Sequence, residues 1–111
     1  MEKIYQIEPE LGEEEKSELL SVMESGWYTE AAKTREFEKL FADFVGTKFA
    51  IAVTSGMAAL YVGLKAMGIK SNDEVIVPDL TFVASPNSIE MAGANPVLID
   101  IEERTLNLDL S

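Results

Sequence analysis

Apolar residues change their spacing along this chain near residue 46, and that change separates two textures of secondary structure. From Lys33 to Val45, the residues Phe37, Leu40, Phe41, Phe44 and Val45 recur at spacings of three, four, seven and eight. That is the pattern of a helix with one apolar stripe, and it predicts a helix ended by Gly46. Three phenylalanines on one stripe are assigned to core packing rather than to a cofactor box. Upstream, Ile4 and Ile7 belong to a short extended lead-in, and Pro9, Gly12 and Glu13-Glu14-Glu15 mark the start of another helix. Its acidic first turn either complements the helix dipole or is a solvated face. Leu19, Leu20, Val22 and Met23 form its apolar side, and Ser25-Gly26 is its stop.

After Gly46 the apolar residues gather into short runs bounded by turn signals: Phe49 to Val53, Val75 to Val77, and Val97 to Ile101. Runs with so little polar alternation predict strands covered on both faces, as in a parallel sheet. Helices are expected between them, from about Met57 to Met67 and from about Pro86 to Ala92, closed by Gly68 and Gly93. Strand, helix, strand, helix, strand is an α/β order with right-handed crossovers. No repeat, low-complexity tract or linker interrupts residues 1–111, which read as one segment without an internal boundary. Past Ile101 a polar turn, Glu102 to Thr105, leads into Leu106-Asn107-Leu108-Asp109-Leu110, where a further element begins.

Composition narrows the function classes. The 111 residues are 47% hydrophobic, enough for one core and no more. Nine basic residues stand against 20 acidic ones, a net charge of -11 that repels phosphate backbones, so nucleic acid is not expected as a partner. There is no Cys and no His, which removes thiolate nucleophiles, zinc-thiolate sites and the commonest general base. Asp73, Asp79 and Asp100 include no acidic pair at ligand spacing, and no metal is expected. Met1-Glu2-Lys3 opens an acidic stretch rather than an export signal, so a cytoplasmic location is expected. The uncharged run from Phe49 to Leu64 contains Thr54-Ser55-Gly56 and falls short of the roughly 20 apolar residues a membrane span needs.

Two loops carry candidate chemistry. At Thr54-Ser55-Gly56-Met57-Ala58-Ala59-Leu60 a strand passes through small residues directly into a helix. Gly56 permits close approach to the backbone, Ser55 offers a hydroxyl, and the first helical amides point outward with the dipole behind them, which suits a phosphate. The same residues also read as a plain helix cap and turn. The second loop, Pro78-Asp79-Leu80-Thr81-Phe82-Val83-Ala84-Ser85, follows the next strand. In parallel sheets ligands sit outside the carboxyl ends of the strands, so both loops are placed to face one site. Phe82 is either a stacking surface for an aromatic ring or a core phenylalanine.

Taken together, Ser25-Gly26-Trp27-Tyr28, Glu36-Phe37-Glu38, Thr54 to Leu60, Asp73-Glu74-Val75-Ile76-Val77-Pro78, Thr81-Phe82-Val83-Ala84 and Ala92-Gly93-Ala94-Asn95-Pro96-Val97 resemble the opening of the DegT/DnrJ/EryC1/StrS aminotransferases. The similarity covers nearly the whole chain, and the order and spacing of the motifs carry it. It implies the fold of the PLP-dependent transferases of fold type I: a three-layer α/β/α large domain with a mostly parallel sheet, here its N-terminal part preceded by two helices. It implies pyridoxal phosphate as cofactor, nucleotide-linked keto sugars as substrates, glutamate or glutamine as amino donor, and a homodimer. Carried over by position, Ser55, Gly56 and Met57 belong to the phosphate cradle and Phe82 stacks on the pyridine ring. Trp27 and Tyr28 fall near the sugar site.

The family more often has threonine at the position of Met57, so a hydroxyl contact is lost while the amide contact stays. It usually has glycine then proline where Ala31 and Ala32 stand. The Schiff-base lysine, the aspartate partner of the pyridine nitrogen and the small C-terminal domain are expected beyond Ser111, and none of the seven lysines matches the catalytic one. The chain is therefore expected to be an N-terminal fragment without catalytic competence of its own. The resemblance also implies that Phe49 to Val53 lacks its neighbouring strands and has open edges. Two alternatives stand beside this reading: a small complete non-enzymatic α/β module, receiver-like or built for protein interaction, and a fragment of a PLP-dependent sugar dehydratase.

Overall fold

The computed structural model describes residues 3–5, 7–29 and 32–110. Ala31, one of the two alanines at the expected loop departure, lies outside the described residues, as do Met1, Glu2 and Ser111. The chain forms two compact units, residues 1–52 and residues 53–111.

The first unit holds helices α1 (Glu13–Ser25) and α2 (Ala32–Val45). Glu13, Glu14 and Glu15 occupy the first turn of α1, where negative charge meets the positive end of the dipole. The Glu15 carboxylate accepts from the Gly12 N–H at 2.6 Å, and this bond lowers its pKa from the ordinary value. At the other end Gly26 takes φ 68°, a left-handed turn that suits glycine, and returns its N–H to the Met23 carbonyl at 3.2 Å. Lys33 on α2 reaches Glu18 on α1 at 2.6 Å and Glu36 on its own helix at 3.2 Å. These two carboxylates raise the Lys33 pKa, the Glu18 bond most.

The phenylalanine stripe of α2 is not a core in this structure. Phe37, Leu40, Phe41, Phe44 and Val45 are all exposed, Phe44 to 89%, and the buried residues of the helix are Glu38 and Ala42. Periodicity identifies the helix and its apolar side, but burial needs an opposing surface, and the described residues supply none. Phe37 and Phe41 do pair with each other, ring centroids 5.9 Å apart and planes tilted by 42°.

The second unit contains α3 (Gly56–Ala66), β1 (Glu74–Pro78), α4 (Ala84–Met91) and β2 (Asn95–Ile99). The two strands pair in parallel, with Glu74 opposite Asn95 and Pro78 opposite Ile99. A parallel pair requires a crossover, and α4 supplies it. Val77, Ile89 and Ala94 form the buried centre, with Leu64, Ile69 and Val75 packed around them. Lys65 ties the far end of the unit together, donating from Nζ to the carbonyls of Ile69 at 3.3 Å and Ala92 at 3.2 Å. Beyond β2, Ile101 bridges antiparallel to Leu108, so the segment after Ile101 turns back on itself.

Three boundaries differ from the sequence expectation. Phe49 to Val53 is not a strand: it has no ladder partner among the described residues, and Phe49 and Ile51 are 74% and 77% exposed. Its apolar run has β character, but a strand is defined by a neighbour, as the open-edge argument anticipated. The helix expected from Pro86 begins two residues earlier, at Ala84. Proline is tolerated anywhere in a first turn because that turn has unsatisfied amides, so Pro86 does not mark the first position. The last strand runs from Asn95 to Ile99 rather than Val97 to Ile101, and its Pro96 stands in the ladder opposite Val75.

Glu38 ties α2 to the end of the first unit. Its Oε1 accepts from the Ala52 N–H at 2.8 Å and its Oε2 from Arg35 Nη1 at 2.7 Å, and its side chain is 11% exposed. The Ala52 bond, then the Arg35 bond, lower the Glu38 pKa. With the folded value below the unfolded one, its stabilising contribution is present above the ordinary glutamate range of about 4.3 and is lost as pH falls through the lowered value. Glu38→Gln should therefore flatten the loss of melting temperature between about pH 5 and pH 3, measured on the full-length protein; an unchanged slope would place the acid sensitivity on other carboxylates.

Candidate functional site

The turn that ends the unpaired lead-in is built by Ser55. Its backbone is extended, φ -164° and ψ 163°, and its Oγ accepts from the Ala58 N–H at 3.2 Å, while its carbonyl accepts from the Ala59 N–H at 3.0 Å. Ser55 is thus the N-cap of α3. With its hydroxyl occupied in this way, the amides of Gly56 and Met57 carry no acceptor among the described residues. A Cβ added at Gly56 would meet no protein atom within 4 Å, so the fold itself does not demand glycine there.

The loop after β1 reaches the same place. Pro78 ends the strand, Asp79 bonds its N–H to the Ile99 carbonyl at 2.9 Å, and Thr81 Oγ1 lies 3.0 Å from Ser85 Oγ. The Ser85 N–H donates to the Phe82 carbonyl at 3.0 Å, which fixes Phe82 two residues before the start of α4. Its ring is 78% exposed, so the core reading of Phe82 is set aside.

Ser55, Gly56, Met57 and Phe82 line one cleft of about 610 Å³, together with Leu60, Val83, Ala84, Ser85 and Asn87. Four residues separated by up to 27 positions in sequence are brought together because α3 packs on α4 and both helices start at this end of the unit. Sequence reasoning missed Asn87 as a lining residue. The signal was position: Asn87 falls in the first turn of α4, whether that helix is started at Ala84 or at Pro86, and so at the end that lines the cleft. Trp27 and Tyr28 line a different cleft, of about 430 Å³, within the first unit, beside Ser21, Val22, Thr29 and Lys33. There the Trp27 N–H donates to Ser25 Oγ at 3.2 Å and Tyr28 Oη to the Met23 carbonyl at 3.2 Å.

A family model described as the DegT/DnrJ/EryC1/StrS aminotransferase family matches residues 9–111. The chain belongs to this family. It is 50% identical over 101 residues to the spore coat polysaccharide biosynthesis protein SpsC of Bacillus subtilis, covering 91% of this chain and 26% of that protein. It is 48% identical over 102 residues to GDP-perosamine synthase of Caulobacter vibrioides, covering 91% and 28%. Among solved structures, Spr1654 of Streptococcus pneumoniae, assigned as a sugar aminotransferase and solved in its PLP form, superimposes with a TM-score of 0.86 at 35% identity, covering 95% of this chain and 28% of that one. The Escherichia coli GDP-4-keto-6-deoxy-D-mannose-3-dehydratase with bound hydrated PLP gives 0.85 at 27% identity, covering 92% and 28%.

The chain thus spans about a quarter of the length of the relatives it matches. The α/β fold with a parallel sheet is that of these two PLP-bound proteins. No helix is long and apolar enough to cross a membrane among the described residues.

Replacing the cap with Ser55→Ala should destabilise the protein by about 1 kcal/mol through the orphaned Ala58 amide, and Ser55→Asp should restore most of it. Chemical denaturation of the full-length protein measures both; no loss with alanine would mean that the cap does not stabilise α3.

Proposed function

We propose that this chain is the N-terminal segment of the PLP-binding large domain of a sugar aminotransferase and supplies part of its cofactor site. The convergence of Ser55, Gly56, Met57 and Phe82 on one cleft carries the reading. The residues suit the group: two outward amides at a helix start for a phosphate, a glycine whose missing Cβ leaves the approach open, and an exposed flat ring.

In this reading the Gly56 and Met57 amides donate to the phosphate oxygens, with the dipole of α3 behind them. Ser55 keeps those amides in place by capping the turn rather than by touching the phosphate. Phe82 would cover one face of the ring and exclude water from it. Amino-group transfer draws on the electron sink that pyridoxal phosphate supplies when bound. No lysine lines the cleft among the described residues, so the amine that attaches the cofactor comes from elsewhere in the protein, and this segment alone does not transaminate. Trp27 and Tyr28 serve the sugar. The substrates are a nucleotide-linked keto sugar and an amino-acid donor, glutamate or glutamine; the active form is a homodimer in the cytoplasm. The name of the Caulobacter relative supports the nucleotide sugar.

The likeness to the E. coli dehydratase carries a second reading, dehydration of the same substrate class on the same scaffold. Product mass separates the two: an amino sugar from transamination, a deoxy sugar without nitrogen from dehydration.

In the full-length protein Phe82→Ala should weaken pyridoxal phosphate retention by about 1–3 kcal/mol, the usual worth of stacking on an aromatic. Gly56→Val should weaken it further while leaving the melting curve close to that of the unmodified protein. Titration followed by cofactor absorbance checks both, and unchanged affinity would remove the residue from the site.

A further inference from the structure

Phe82 lines the cleft with a ring that packing does little to direct, since it is 78% exposed. Where it points is therefore set by the backbone on either side of its Cα. On the carboxyl side the Phe82 carbonyl is held by the Ser85 N–H at 3.0 Å. On the amino side the last backbone tie is the Asp79 N–H on the Ile99 carbonyl at 2.9 Å. Leu80 and Thr81 make no backbone hydrogen bond among the described residues.

Side chains span that gap. Thr81 Oγ1 lies 3.0 Å from Ser85 Oγ, and either oxygen can donate. The residue immediately before Phe82 is thus tied to the same residue that holds the carbonyl behind it. Ser85 is a firm anchor: it stands in the first turn of α4, and its carbonyl accepts at 2.8 Å from the hydroxyl of Ser88, which is 2% exposed. A hydroxyl pair in contact with water adds little to the stability of the whole protein, because water replaces either partner. Its consequence is directional. With Ser85 bonded on both sides of Phe82, rotation of the chain about that residue is restricted, and a ring already ordered loses less freedom when a ligand stacks on it.

We propose that Thr81 and Ser85 are positioning residues whose hydroxyl pair closes a clamp around Phe82 and fixes the direction in which its ring faces the cleft. The inference rests on reading Phe82 as the stacking surface for the cofactor, and it assigns neither hydroxyl a contact with cofactor or substrate.

Titration of the full-length protein with pyridoxal phosphate, followed by cofactor absorbance, tests it. Thr81→Val, which keeps the shape and removes the hydroxyl, should weaken binding about fivefold. Ser85→Ala should do the same, the two together should be no worse than either, and Thr81→Ser should bind like the unmodified protein. In a Phe82→Ala background the Thr81→Val loss should vanish, because no ring remains to be directed. Provided that Phe82→Ala itself weakens binding, a Thr81→Val loss that persists in its background, or no loss with either hydroxyl variant, would overturn the proposal. Fluorine NMR of the cofactor-free protein with para-fluorophenylalanine in place of Phe82 reads the ring directly: Thr81→Val should shift or broaden the line, and an unaltered line would also overturn the clamp. If Phe82→Ala leaves affinity unchanged, the stacking reading fails, and the fluorine line alone decides whether the hydroxyl pair directs the ring. Should Thr81→Val not fold, Ser85→Ala carries the same comparisons.

Discussion

The parallel pairing of β1 with β2 is the constraint on which the cleft depends. Two parallel strands cannot be joined by a tight turn, so the chain must leave the carboxyl end of β1, cross over through α4 and re-enter beside its own start. The buried contacts of Val77, Ile89 and Ala94 hold that crossover against the sheet. Everything after Pro78 follows from it: the loop 79–83 lies at the carboxyl edge, and Phe82 is held outward by the first turn of α4. Because α3 packs on α4, its own start reaches the same edge, and a helix start and an aromatic ring meet across one cleft.

A chain with net charge -11 is an unexpected place for the phosphate proposed above, and the reconciliation is local. The groups that face the cleft at Ser55 to Met57 are backbone amides and neutral side chains, and no acidic residue lines it among the described residues. Helix-terminal amides act over a few ångströms, whereas surface carboxylates are screened within about 8 Å at physiological salt. The acidic surplus governs encounter with polyanions, and the helix start would govern what the proposed phosphate meets.

The same contrast between local and distant causes explains which readings were legible. The helices α1 and α2, the Gly26 stop and the Ser55 cap depend on residues within one turn of each other, and spacing alone identifies them. The phenylalanine stripe of α2 and the run from Phe49 to Val53 have correct local character, but burial and strand pairing require surfaces from elsewhere, and the described residues do not provide them. The start of α4 was misplaced because Pro86 is compatible with any position of a first turn.

By itself the sequence determined that this is an α/β chain of the DegT/DnrJ/EryC1/StrS family, with the two leading helices, the helix after Ser55 and the strand–helix–strand unit that follows it, because periodicity, caps and motif order are properties of neighbouring residues. Only the tertiary structure decided that Phe82 is a surface ring rather than a core one, that it shares a cleft with Ser55, Gly56 and Met57, and that Glu38 reaches across fourteen residues to the Ala52 amide. Those are facts of separation in space, set by how helices pack on a sheet and on each other, and no window along the chain contains them.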